Sequence, residues 1–138
     1  MAKTKEQWDV AKGINEGNIM IVRRNIGIDS LKNRKYFYIR SGISFKLVHP
    51  RREDGLPEKS EIKGLNNTED AIFTEIDTNA IVAVIITTSG FREYMIYHNE
   101  SFKLAKFASD LQLRFPKYRF TQYSEKDKNW RGYNLWKD

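Results

Sequence analysis

Ala80-Ile-Val-Ala-Val-Ile-Ile-Thr-Thr88, followed by Ser89-Gly90 and Phe91-Arg-Glu-Tyr-Met-Ile-Tyr-His98, decides how this chain is read. The first run is apolar at both alternating sets of positions, as a strand buried on both faces requires. It belongs in the middle of a sheet. Ser89-Gly90 interrupts the run, and glycine's access to positive φ suits the short turn of a hairpin. Strand polarity at the centre is therefore antiparallel.

On the C-terminal side, Leu104, Ala108, Leu111 and Phe115 recur at three- and four-residue spacing, with Lys103, Lys106, Ser109 and Asp110 between them. This predicts a helix from Glu100 to Phe115, capped by Asn99 or Ser101 and ended by Pro116. A second helical face, Ile62, Leu65, Ile72, Phe73 and Ile76, lies between Pro57 and Ile76. Gly64 and Asn66-Asn67 weaken its middle, enough to divide it into two pieces. On the N-terminal side, Lys35 to Val48 alternates as a long strand with a bulge or bend expected at Gly42. Asn18 to Arg24 and Tyr118 to Tyr123 add two more strands.

The opening segment reads two ways. Thr4-Lys-Glu-Gln7 fits a capping box, while Trp8 and Val10 alternate like a strand turning at Asn15-Glu16-Gly17. A strand from about Gln7 is preferred. The whole order predicts one α+β domain over residues 1–138, an antiparallel sheet with two helices on one face. Its rhythm is that of a ferredoxin-like variant with an added N-terminal hairpin. The other face, carrying Tyr36, Tyr38 and arginines, is expected to be partly open.

At 138 residues, one hydrophobic core suffices. Hydrophobic residues make up 40% and charged residues 30%, a globular composition without repeats or low-complexity segments. The absence of cysteine excludes a disulfide framework, a thiolate metal site and a cysteine nucleophile. No apolar h-region follows the N-terminal lysines, and Ala80 to Ile86 is too short to span a bilayer, so a cytoplasmic protein is expected. The formal charge of +6 is unevenly spread: the chain is basic up to Arg52, acidic from Glu53 to Asp77, and mildly basic beyond. Such segregation steers an anionic partner or solvates two faces.

Catalytic motifs are missing. The chain carries no G-x-S-x-G elbow, no Walker loop and no G-x-G-x-x-G. His49 and His98 have no second ligand at metal-site spacing, so neither a metal nor a cofactor is expected. Glu69-Asp70 and Glu53-Asp54 read as a helix surface and a loop tip. Arg92 and Glu93 are adjacent in a strand and point to opposite faces, so one of them needs an interior partner, with a structural ion pair the leading reading. Tyrosines interleaved with arginines are the material of single-stranded nucleic-acid binding, although Ser41-Gly-Ile-Ser-Phe-Lys-Leu-Val48 lacks the aromatics of an RNP1 strand.

Several patches, taken in order, resemble a bacterial family of unknown function, DUF695. They are Trp8 with Gly17 and Val22-Arg-Arg-Asn25, then Asp54-Gly-Leu-Pro57, then Leu65 with Glu69-Asp70. Thr87-Thr-Ser-Gly-Phe-Arg-Glu-Tyr-Met-Ile-Tyr97 and the terminal Asp127, Trp130 and Tyr133 complete the set. Members of that family sometimes sit beside a domain similar to the protein regulator of ribonuclease E, a ferredoxin-like variant that inhibits its enzyme by binding. The resemblance implies a fold and a regulatory flavour and brings no catalytic residue; with five residues after Tyr133, the second domain is not expected within this sequence.

The expectation is a non-enzymatic protein-interaction or regulatory module whose partner is another protein, with no membrane contact. RNA or single-stranded DNA binding is the alternative. Candidate partner-binding residues are Arg23, Arg24, Tyr36, Tyr38, Arg40, Arg51, Arg52, Arg92, Glu93 and Trp130.

Overall fold

The branched and aromatic runs that open the reading become neighbouring strands in the computed structural model, which describes residues 7–136. The strands are β1 (Trp8–Asn15), β2 (Asn18–Asn25), β3 (Ile39–Lys46), β4 (Ala80–Thr88), β5 (Phe91–His98) and β6 (Thr121–Lys126). The α-helices are α1 (Ile62–Glu75), α2 (Leu104–Arg114) and the short α3 (Arg131–Asn134). All six strands form one sheet in the order β1-β2-β4-β5-β3-β6, with every neighbouring pair antiparallel.

Ser89 and Gly90 both take positive φ, 52° and 84°, which is the two-residue hairpin turn expected between β4 and β5. Helix α1 carries the chain from β3 to β4 across β5, and α2 carries it from β5 to β6 across β3. Each is a split β-α-β crossover. The β1–β2 hairpin extends the sheet beyond β4.

Two cores follow from the two buried faces of the central strands. On one face, Leu65, Ala71 and Ile72 of α1 and Phe107, Ala108 and Leu111 of α2 pack on Ile43, Phe45, Val82, Ile85, Tyr94 and Ile96. On the other, Val22, Val84, Met95 and Tyr97 are covered by Ile28, Phe37, Trp130 and Tyr133. That second face is therefore closed where the sequence left it partly open. The reason is local: residues 26–30 and 34–36 coil into 3₁₀ turns over the sheet, and α3 lies beside them.

Other boundaries differ for equally specific reasons. Strand β3 begins only at Ile39, because the Phe37 N–H bonds back to the Arg34 carbonyl at 2.9 Å in a 3₁₀ turn. Tyr36 is thus outside the sheet. Gly42 carries no bulge, since its register is continuous from Ser41 to Ile43; the irregularity falls at Ala83, between Val82 and Val84. A Cβ on Gly42 would overlap Tyr123 Cε2, so the glycine gives that ring its place. Helix α1 is unbroken, and Thr68 Oγ1 donates to the Gly64 carbonyl inside it at 2.9 Å.

Helix α2 starts at Leu104 after Lys103, while Asn99 Oδ1 accepts from the Ser101 N–H in a separate turn. Strand β6 starts three residues later than Tyr118, because Tyr118 and Phe120 are drawn onto Phe45, with ring centroids 4.4 and 5.2 Å away. Trp8–Asn15 is strand, as preferred; most of the competing capping box lies outside the described residues. Among the described residues no helix is long and apolar enough to cross a membrane.

Candidate functional site

The β1–β2 hairpin places alternate residues of two strands on one face. Its register sets Trp8 opposite Asn25, Val10 opposite Arg23, Lys12 opposite Ile21 and Ile14 opposite Ile19. Directly opposed side chains in an antiparallel pair share a face. Arg23 reaches Glu69 of α1, so this row looks toward the helix-bearing side of the sheet. Trp8 meets Phe73 of α1 edge to face at 6.0 Å. Further along, Val10, Ile14 and Ile19 remain 61%, 76% and 38% exposed. An apolar stripe therefore continues the sheet beyond the helices, where burial would be favourable and is not achieved.

A charged boundary separates this stripe from the core. Glu69 sits on the same helical face as Leu65 and Ile72, so its carboxylate is carried into the interior. Arg23 grips it through two bonds of 2.9 and 2.5 Å, Tyr94 donates its hydroxyl at 3.0 Å, and Arg92 Nη1 lies 3.7 Å away. Arg92 is itself held by the Thr87 hydroxyl at 2.9 Å. Burial pushes the Glu69 pKa up, but the Arg23, Tyr94 and Arg92 contacts outweigh it and hold the group below the usual glutamate value.

Glu93 points the other way and accepts from the Tyr123 hydroxyl at 2.8 Å. The adjacent pair is thus divided between faces, and Arg92 is half of an interior ion pair whose acid is Glu69. That acid went unrecognised as a partner, although its spacing from Leu65 and Ile72 marks a carboxylate on an apolar stripe.

The opposite face is closed by a lock built from the last motif of the chain. Asp127 accepts from the backbone N–H groups of Arg131 and Gly132 at 2.8 and 2.9 Å and from the Tyr97 hydroxyl at 2.6 Å. Burial pushes its pKa up, but these donors and Arg40 nearby outweigh that and hold it below the ordinary aspartate value. Trp130 stacks on Tyr97 and donates its indole N–H to the Arg34 carbonyl at 3.1 Å. The Tyr133 hydroxyl meets the Asn25 carbonyl at 3.0 Å and Asp29 at 3.1 Å. These groups are spent on holding α3.

Loop Asp54-Gly-Leu-Pro57 docks on the central hairpin turn. Gly55, at φ 73°, accepts from the Gly90 N–H at 2.9 Å, and a Cβ on it would come within 2.9 Å of the Gly90 nitrogen. Asp54 pairs with Arg51 and caps the Leu56 N–H at 3.0 Å. A cleft of about 330 Å³ opens nearby between Val48, Glu61, Gly64, Phe115 and Tyr118. Its buried carboxylate, Glu61, is already engaged by the Val48 and His49 N–H groups and the Tyr118 hydroxyl at 2.8, 2.7 and 2.6 Å.

The arginines and tyrosines singled out in the sequence are not brought together. Arg23 and Arg92 lie on the helix side against Glu69; Arg24 lies on the other face against Asp29 and Tyr133. Arg40 pairs with Glu125, Arg51 with Asp54, and Tyr38 donates to Glu100. Tyr36 is exposed and meets Phe37 edge to face, Arg52 is exposed in the loop after β3, and Trp130 is buried in the lock. From the basic stretch, Arg23 and Arg51 pair with Glu69 and Asp54 of the acidic one, while Arg24 and Arg40 take acids from elsewhere in the chain. Among the described residues no group of three or more His, Cys, Asp or Glu is placed to hold a metal ion.

Residues 6–136 match the profile of a family of unknown function, DUF695. The chain belongs to the DUF695 family. No curated protein and no solved structure matches it. In this DUF695 chain the patches that carry the resemblance are junctions: Glu69 to the central hairpin, Asp54–Pro57 to its turn, and Asp127, Trp130 and Tyr133 to the second face. Among the apolar side chains that stay exposed, Val10, Ile14 and Ile19 share one face of the β1–β2 hairpin, whereas Leu113 and Leu135 lie on other elements.

Proposed function

We propose that this DUF695 domain is a non-enzymatic, cytoplasmic protein-interaction module that engages its partner through the helix-side face of the β1–β2 hairpin. The observation that carries the reading is the exposed alignment of Val10, Ile14 and Ile19 on one face, bordered by the rigid Arg23–Glu69 pair. Desolvating three aliphatic side chains gives a docked protein roughly 25 cal/mol per Å² of apolar area covered. A fixed ion pair at the rim adds selectivity for orientation. Such a module regulates by occupying its partner and needs no chemistry of its own. The separated arginines offer no such single surface to a nucleic-acid backbone.

The test compares affinity capture by the wild-type chain with Ile14→Asp/Ile19→Asp and with Leu113→Asp, an equally exposed apolar position on α2. The hairpin variant is expected to lose specific partners that the α2 variant retains, with both circular dichroism spectra unchanged. Equal retention by both variants would remove the hairpin face as the docking surface.

A further inference from the structure

Glu61 stands at the start of α1 and lines the cleft of about 330 Å³ beside Val48, Gly64 and Tyr118, yet only 4% of it is exposed. A buried carboxylate ordinarily has a cation beside it, because stripping water from a charge costs more than neutral hydrogen bonds return. Glu61 has no such partner. The groups that meet it are the Val48 and His49 N–H groups and the Tyr118 hydroxyl, all of them neutral donors. Burial, and then the bond to Glu61, push the Tyr118 pKa up, so that hydroxyl keeps its proton.

Among the described residues no lysine, arginine or histidine forms an ion pair with Glu61. Arg92 acts on Tyr118 from a distance, but its guanidinium is committed to Glu69 and to the Thr87 hydroxyl. The N-terminus of α1 offers only about half an elementary charge. Glu61 Oε2 accepts two of the three bonds and Oε1 accepts one, which leaves an acceptor position on Oε1. The anion is fixed in place, lines an open cleft, and is uncompensated.

The remaining lining narrows what would compensate it. Val48, Phe115, Pro116 and Tyr118 supply apolar walls, and Arg114 and Lys117 add two cations. Arg114 is held by Glu75 at 3.4 Å and lies over the Phe115 ring, whereas Lys117 has no acidic partner among the described residues. A simple amine would suit Glu61 and be opposed by these cations. A simple carboxylate would suit Lys117 and be opposed by Glu61. A molecule that carries both charges on an apolar body matches the whole lining. The volume suits a small one, since ligand pockets run from roughly 300 to 1,000 Å³.

We infer that this cleft is a binding site for a small zwitterion of the α-amino-acid class, its ammonium on Glu61, its carboxylate toward Lys117 and an apolar side chain between Val48 and Phe115. The site is built from α1, the segment after β3 and the segment after α2, so it stands independently of the hairpin face proposed for the protein partner.

The test is a ¹H–¹⁵N nuclear magnetic resonance titration of the full chain with L-leucine, L-methionine and L-phenylalanine. At least one should give saturable shifts at the Val48, His49, Gly64 and Tyr118 amides. Its decarboxylated and deaminated counterparts, phenethylamine and 3-phenylpropionate in the case of phenylalanine, should each bind about tenfold or more weakly, as the loss of one charge-assisted bond predicts. Lys117→Glu should weaken the amino acid and strengthen the amine, a reversal that a merely apolar cleft would not show. Gly64→Leu should block the cleft without touching Glu61, because a Cβ there meets only Tyr118 Oη at 3.6 Å and leucine is the better helix former.

No saturable binding by any of the three amino acids, equal affinity for an amino acid and its two singly charged counterparts, or binding that survives Gly64→Leu overturns the inference.

Discussion

Trp130 lies flat on Tyr97, with ring centroids 3.8 Å apart and planes 7° from parallel. The contact joins the C-terminal end of β5 to the segment after β6, and Trp130 holds a left-handed φ of 57° to make it. That conformation is uncommon for a bulky residue and persists because the surroundings over-determine it. The buried Tyr97 hydroxyl completes the joint by donating to Asp127 and accepting from the Tyr133 N–H at 3.0 Å.

Trp130→Ala is expected to cost about 3–5 kcal/mol, the range for deleting a buried aromatic. Trp130→Phe should cost less, through the lost indole bond to Arg34. Guanidinium unfolding followed by far-UV circular dichroism checks the order. Equal midpoints for wild type and Trp130→Ala would show that α3 does not hold the second face.

Glu69→Gln leaves Arg23 and Arg92 without their anion and should destabilise by about 2–3 kcal/mol, below the usual cost of breaking a buried pair because the site is partly exposed. Since the folded pKa of Glu69 is depressed, its contribution is fully present above the unfolded value and is lost as pH falls through the folded one. Unfolding free energy should therefore decline on acidification below the ordinary carboxylate range. The decline should be shallower in Glu69→Gln, and identical slopes in the two proteins would contradict this.

Gly42→Ala should displace the Tyr123 ring and break its bond to Glu93, because the new methyl occupies the ring's position. The displacement depends on the ring, so Gly42→Ala/Tyr123→Ala should be more stable than the sum of the single changes predicts. A double-mutant cycle with no coupling would place the Gly42 requirement elsewhere.

His98 is buried between β3 and Phe102, its Nδ1 donating to the Asn99 carbonyl at 2.8 Å and its Nε2 accepting from Ser41 at 2.6 Å. Burial lowers its pKa, an effect only partly offset by the Asn99 bond. The neutral form is then the folded form, so stability is complete above the unfolded histidine pKa and falls as pH drops below it toward the folded value. Nuclear magnetic resonance titration of the His98 ring should give a midpoint below the ordinary histidine value, and a normal or raised midpoint would contradict the buried neutral tautomer.

Much of the candidate site's chemistry was present in the sequence without its geometry. Arg92 and Glu93 were separable because strand alternation alone sends neighbours to opposite faces, but the acid that Arg92 uses lies 23 residues away by sequence number, on α1. Glu69 was readable as a carboxylate on a helical stripe only by counting from Leu65 to Ile72. Asp127 gave no such signal, because its role depends on the backbone turn that Trp130 makes. Tyr36 and Tyr38 alternated like strand residues, and a local 3₁₀ hydrogen bond from Phe37 to Arg34 took that register away.

The sequence by itself determined the elements: β4 as a doubly buried strand, its turn at Ser89-Gly90, and the apolar faces of α1 and α2. Those depend on periodicity and on φ preferences, which are local properties of consecutive residues. Tertiary structure alone decided that the second face is closed, that the arginines are spread over both faces among acidic partners, and that Val10, Ile14 and Ile19 lie beyond the reach of α1. Those outcomes depend on which distant segments meet, and alternation along one strand carries no record of what packs above it.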